Sequence, residues 1–312
     1  MNAFTRSAIR RLLAQWPLLD LAEWASRHMC RRFPTSRTAH KCEFEISSAL
    51  RQSGHVCRVA TLPNGARLLV PLWHETGREL YFFGSDDLRS GLLYEPETTR
   101  FFCRWLSPGD TVIDIGANLG YYTLLAARAV GPSGSCHSFE PNRALATWIA
   151  ESAALNGVNS TVVVNVSAVA DHTGTASFYI PVNRLRDPRA SLVAGSYDAP
   201  VRELTVPVTT LDDYVARTTM TSIRLVKIDV EGAEDRVLAG SKRTLRSLMP
   251  DAVILEHAPV LLRDPARQWA RNCAAMEEAG YAPHSITRDG GLEALHDAPY
   301  SDSSLNVCFT PV

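Results

Sequence analysis

Apolar residues recur at helical spacing near the start of the chain, where Ile9, Leu12, Leu13, Trp16 and Leu19 share one stripe. Pro17 sits inside it and predicts a kink or a split. From "HVCRVATLPNGARLLVPL" onward the pattern shortens to β-type runs around Pro63-Asn64-Gly65, which predicts a small antiparallel segment. "GSDDLRSGLLYEPETTRFFCRWL" reads as a loop followed by a helix. Strand and helix then alternate: "TVIDIG" strand, 119–130 helix, "SCHSFE" strand, 142–156 helix, "TVVVNVSAV" strand. "TASFYI" and "ELTVPVTTL" are further strands around a polar loop, 183–200. "SIRLVKIDV" is strand, 232–248 helix, "AVILEHA" strand, 265–279 helix and "SLNVCFTPV" a last strand. Apolar strands alternating with helices predict an α/β fold, a mostly parallel sheet covered on both faces.

Composition changes this picture little. The 312 residues are 46% hydrophobic and 21% charged, which is ordinary globular material. A formal net charge of -1 gives no global field to attract nucleic acid, and none is expected as a partner. Seven cysteines, with no CxxC pair, point to reduced thiols rather than a disulfide framework. No run of about 18 apolar residues predicts a spanning helix, and the N-terminus has no continuous signal-type core. A cytoplasmic location is expected. Residues 1–41 carry seven arginines and Lys41 against Asp20 and Glu23. The stripe there reads either as a helix lying on an anionic membrane surface, or as a cap packed on the main domain or on a second copy in a homodimer.

The candidate chemistry begins in "TVIDIGANLGYYTLLAARAVG". Asp114, Gly116, Asn118 and Gly120 fall at the carboxyl end of the first strand of the alternating block, where open parallel sheets bind ligands. A dinucleotide fingerprint places glycine where Asn118 stands, so a pyrophosphate would be crowded. Glu140 closes the next strand, 24 residues after Gly116, and can accept from ribose hydroxyls. Asp114 suits a ligand ammonium, met directly or through water. Together these match S-adenosylmethionine. The candidate cofactor-binding residues are Asp114, Gly116, Ala117, Asn118, Gly120, Glu140, Pro141, Asn142, Ser167 and Asp229.

"DTVIDIGANLGYYTLLAA", "FEPN", "TTLDDY" and "VKIDVEGAEDRVLAGS" together resemble the FkbM family of S-adenosylmethionine-dependent methyltransferases. The resemblance runs from about Gly84 to the final "NVCFTPV" and leaves residues 1–55 outside it. It implies a class I methyltransferase, Rossmann-like fold: a seven-stranded, mostly parallel sheet with its last strand antiparallel. It also implies O-methylation of a small-molecule acceptor, such as a sugar or natural-product hydroxyl. The expected organisation is an N-terminal helical extension, 1–55, and a methyltransferase domain, 56–312, with a lead-in segment, 56–107, before the core, 108–312. N-methyl transfer to a small molecule remains an alternative. So does a nicotinamide-dependent oxidoreductase, against which Asn118 and Tyr121 speak.

In "LVKIDVEGAE", Lys227, Asp229 and Glu231 alternate along a strand and its exit, so they share a face. Three ionisable groups in an apolar run are costly unless paired or functional. The next strand ends in Glu256 and His257 at the same edge. Methyl transfer to an alcohol requires an aligned acceptor oxygen and a base, so Asp229, Glu231 or His257 is the candidate base and Lys227 its support. Two other readings stay open. One is a structural Lys227–Asp229 pair with Glu231 on the following helix N-terminus. The other is a divalent metal held by Asp229, Glu231 and Glu256; no metal is assigned. Tyr94 and Glu95 are candidates to fold over the cofactor. His172 and His284 read as surface or satisfied histidines. Arg184, Arg186 and Arg189 sit in a loop long enough to cover a site.

Overall fold

The computed structural model describes residues 16–84, 86–90, 92–182, 190–193, 200–259, 262, 264–295 and 305–312. Helix α1 (Trp16–Arg32) comes first, with Pro17 in its opening turn. There the missing N–H has no intrahelical partner to lose, so Pro17 does not break the described helix. Leu19 is buried, whereas Ile9, Leu12 and Leu13 lie outside the described residues. Helix α2 (Arg37–Gln52) is capped by Ser36, whose side chain accepts from Thr38 N. The Pro63-Asn64-Gly65 signal is a true hairpin turn: β1 (Cys57–Thr61) pairs antiparallel with β2 (Arg67–Pro71). Helix α3 (Glu75–Phe82) has no counterpart in the sequence reading. Gly77 hides it, yet is what seats it, because a Cβ there would lie 2.7 Å from Pro71 O. Helices, hairpin and α3 form one compact unit that runs to Pro96, well past residue 55.

The second unit contains the main sheet. Its elements are α4 (Pro96–Trp105), β3 (Thr111–Ile115), α5 (Tyr121–Val130), β4 (Ser135–Phe139), α6 (Arg143–Asn156), β5 (Val162–Asn165), β6 (Ala168–Val169), β7 (Gly174–Pro181) and β8 (Val201–Thr209). They continue with α7 (Leu211–Thr218), β9 (Leu225–Ile228), α8 (Glu234–Ala239), α9 (Lys242–Ser247), β10 (Ala252–His257), α10 (Pro265–Glu278), β11 (Tyr281–Ile286), β12 (Leu292–Ala294) and β13 (Leu305–Pro311). The sheet order is β12-β11-β13-β10-β9-β3-β4-β5. Pairs among β5, β4, β3, β9 and β10 are parallel, and β13 inserts antiparallel between β10 and β11. That is the class I methyltransferase arrangement. The chain winds one way from β3 to β5 and the other way from β9, so the order reverses between β3 and β9. Val112, Ile113, Ile115, Val226, Ile228, Val253 and Leu255 are all buried, as expected of strands covered on both faces.

Three expectations need correction. The sheet has eight strands, not seven, because Asp289-Gly290-Gly291 turns β12 back onto β11; Gly290 takes φ +81°. The helix expected over 232–248 is two, broken at Gly240, where a Cβ would lie 2.0 Å from Ala170 O. The strand expected over "TVVVNVSAV" is two, β5 in the main sheet and β6 in a separate one, β6-β8-β7, with "TASFYI" and "ELTVPVTTL". No helix among the described residues is long and apolar enough to cross a membrane.

Candidate active site

The reversal point brings two backbone segments together. Gly116, at φ +84°, lies so close to Asp229 that a Cβ would meet Asp229 O at 1.7 Å. Only glycine fits. Gly120, at φ +87°, starts α5 and packs against Ile149. Between them the loop satisfies its own donors. Gly116 N and Ala117 N both donate to Phe139 O at 3.0 Å, Gly120 N to Ala117 O at 2.7 Å, and Asn118 N to Glu140 Oε2 at 2.9 Å. Little is left to hold a pyrophosphate, which needs free N–H groups. Asn118 Oδ1 is buried in this loop and makes no protein hydrogen bond. A buried acceptor of that kind calls for a donor, and a nucleoside supplies one. The residues present therefore fit an adenosine ligand better than a dinucleotide.

Asp114 lies beneath the loop, 1% exposed. It accepts the Thr123 hydroxyl at 2.6 Å and stands opposite Lys227 in the β3–β9 register. Burial raises its pKa, and Lys227 opposes the shift. This placement leaves no room for direct contact with a ligand ammonium, because both neighbours are the protein's own. Lys227 is fully buried. Its Nζ bonds Asp229 Oδ2 at 2.6 Å and lies 4.6 Å from the centre of the Tyr122 ring.

Oxygens of Asp229, Glu231 and Glu256 lie within 4.8 Å of one another at the carboxyl ends of β9 and β10. Hard oxygen ligands at that separation could hold a divalent ion. Burial pushes Glu256 well above the usual carboxylate range, and the neighbouring Asp229 and Glu231 push it further. Glu231 has a left-handed φ of +56°, an uncommon conformation for a non-glycine residue. The turn is held by Glu234, whose Oε1 accepts from Val230 N at 3.3 Å and Gly232 N at 3.1 Å. Burial pushes Glu234 up to about 7 against those hydrogen bonds.

Residues 114–283, more than half of the chain, match the family described as "Methyltransferase FkbM domain". The chain belongs to the FkbM methyltransferase family. It is thus an S-adenosylmethionine-dependent methyltransferase, and the oxidoreductase alternative falls. The 31-O-demethyl-FK506 methyltransferase FkbM of Streptomyces tacrolimicus is 29% identical over 221 residues, 59% of this chain and 76% of that protein. The solved FkbM methyltransferase of Methylobacillus flagellatus is similar over 87% of this chain at 13% identity and a TM-score of 0.42. The chain spans only 53% of that protein. A solved S-adenosylmethionine-dependent O-methyltransferase of Thermotoga maritima is similar over 72% of this chain and 68% of its own, at 14% identity and a TM-score of 0.38.

Within this FkbM domain, the structure separates the candidates the sequence put together. Glu140 bonds not only Asn118 N but also Asn142 N, through Oε1 at 2.8 Å. Asn142 caps α6 by accepting from Ala144 N at 3.1 Å. Pro141 lies between them, and Ser167 in the turn between β5 and β6. His257 does not join the carboxylates. Side chains alternate along β10, so Glu256 faces Asp229, while His257 packs on Trp269, with ring centres 5.2 Å apart. Burial lowers its pKa. Glu234, not Glu231, caps the turn. The sequence reading passed over Glu234, Thr123 and Tyr122, although a carboxylate two residues after Gly232 was a visible capping signal. Tyr94 lines a cavity of about 430 Å³ in the first unit, with His40, Arg78, Glu79 and Phe83. His172 is exposed and bonds Asp171, while His284 is half-buried in β11 and satisfied by Ala282 O. Arg184, Arg186 and Arg189 lie outside the described residues.

Proposed function

We propose that this enzyme transfers the methyl group of S-adenosylmethionine to a hydroxyl of a small molecule such as a sugar or natural product. The observation behind this reading is the cluster of Asp229, Glu231 and Glu256 at the sheet edge, beside the glycine loop. When bound, the cofactor supplies a methyl carbon already activated by its sulfonium. The chain has three remaining tasks. The 116–120 loop and Glu140 hold the adenosine end. Asp229 and Glu231 orient the acceptor hydroxyl and take its proton. Lys227 anchors Asp229 through the buried ion pair, which suits Asp229 to orienting the acceptor and leaves Glu231 as the base. The Streptomyces relative, whose name specifies O-methylation, supports oxygen over nitrogen as the acceptor atom.

The test is single-turnover methyl transfer to hydroxyl- and amine-bearing acceptors by the wild type, Asp229→Asn and Glu231→Gln. The variant lacking the base should lose roughly 10²–10⁴ in rate with cofactor affinity nearly unchanged. Near-normal rates in both variants, or transfer only to amines, would overturn the reading. Rate loss on chelation, repaired only by magnesium, would instead make the three carboxylates metal ligands.

A further inference from the structure

Helix α1 has one face that the described residues of its unit leave exposed. Leu19, Glu23, Ser26 and Cys30 follow one another at three- and four-residue steps and are buried. Glu23 is fixed there by Arg58, at 2.7 and 2.9 Å. The opposite face is formed by Leu21, Trp24, Ala25, His28, Arg31 and Arg32, all exposed. Leu21 is 61% exposed, Trp24 65%, and Phe33, just past the helix, 56%. This is not the stripe that the N-terminal periodicity predicts, because Leu19 of that stripe points inward.

Exposed apolar side chains are ordinary when scattered. Here two sit one turn apart on a single helix face, with a third at its end. The charges around them lean to one sign, although Asp86 lies near enough to act on Arg31. Arg31, Arg32, Arg37 and Lys41 are exposed, whereas Asp20 is the only fully exposed carboxylate among residues 19–45. The Trp24 ring stacks on His28 at 5.7 Å, and the Arg32 guanidinium lies 5.6 Å from the Phe33 ring. Tryptophan and arginine of this kind, apolar in body and polar at the tip, suit the headgroup layer. A second copy docked through the same face would leave Arg32 with no acid of that face to meet.

We propose that the Leu21–Trp24–His28–Arg32 face of α1, with Phe33, docks on an anionic lipid surface. Apolar burial and attraction of the four cations act together, and the second fades with salt. The site is independent of the acceptor chemistry above.

Flotation of the full chain tests this, with vesicles of phosphatidylcholine alone or mixed with phosphatidylglycerol, at low and high salt. Binding should need phosphatidylglycerol and weaken by about tenfold or more at high salt. Leu21→Ser with Trp24→Ser should remove it, as should Arg31→Glu with Arg32→Glu. Melting temperature should not change in either, because these side chains are exposed. Three results would overturn the proposal: no flotation with anionic vesicles, equal flotation of folded variants, or a dimer in solution that the same substitutions dissolve.

Discussion

Glu234 is a residue whose protonation bears on stability near neutral pH. Its folded pKa is raised, to about 7 from 4.5, so the folded state binds the proton more tightly than the unfolded chain does. The stability this contributes is fully present below the unfolded value and is lost as pH rises through the folded one. Between about pH 5 and 8, Glu234→Gln should therefore flatten the fall in melting temperature. At pH 8 it should be the more stable protein, by on the order of 1 kcal/mol. The amide oxygen can still accept from Val230 N and Gly232 N. Comparing the variant with the wild type cancels the half-buried His137 and the buried His257, whose lowered pKa values act in the opposite sense. Glu140 has two roles that one substitution removes together. Glu140→Ala should weaken S-adenosylmethionine binding by roughly 1.5–3 kcal/mol. It should also lower the melting temperature, since Asn118 N and Asn142 N lose their acceptor. Calorimetric titration beside thermal unfolding reads both; unchanged affinity in the folded variant removes the ribose role.

Single elements also carry testable weight. The β11–β12 hairpin is fastened to α4 by Arg104, which bonds Asp289 Oδ2 at 2.8 Å, and by Arg100, which bonds Arg288 O at 2.9 Å. Gly290 makes this approach possible, since a Cβ there would lie 2.6 Å from Phe101 N. Gly290→Ala should destabilise the protein by roughly 1–3 kcal/mol, from strain at φ +81° plus the clash. That is a drop of several degrees in melting temperature; a shift within error would show that the hairpin tip yields freely. The same hairpin shows what was legible. Strands β3, β9 and β10 could be read because each is a mainly apolar run between turn signals, and β4, "SCHSF", by its place between two helical patterns. Strand β12 could not, because "LEA" is short, half polar and paired on one side only. Helix α3 was hidden by the glycine that seats it. At the site, spacing located Asp114, Gly116, Glu140 and the Lys227–Asp229–Glu231 series. Spacing could not reveal that Glu256 and His257, adjacent in sequence, would face opposite sides of the sheet.

At the scale of the whole molecule, charge is segregated along the chain. Residues 1–41 hold 8 of the 32 basic side chains but 2 of the 33 acidic ones, which leaves 24 against 31, a balance of -7, for the rest. An anionic surface that attracts the first segment repels the remainder, so attachment would be one-sided and sensitive to ionic strength. The acid-rich edge of the main sheet is where that surplus bears on turnover. At that edge Lys227 pairs with Asp229, whose oxygens lie with those of Glu231 and Glu256 within 4.8 Å of one another. A bound sulfonium is positive before transfer and a neutral thioether afterwards. Such a pocket should prefer the reactant to the spent cofactor, and the preference should shrink as salt screens the charge. Competitive titration of the two forms across ionic strength measures this preference; a ratio of one at every salt concentration would disprove it. The carboxylates would then act twice per cycle, first in drawing the donor in and then, once its charge is spent, in letting the product leave.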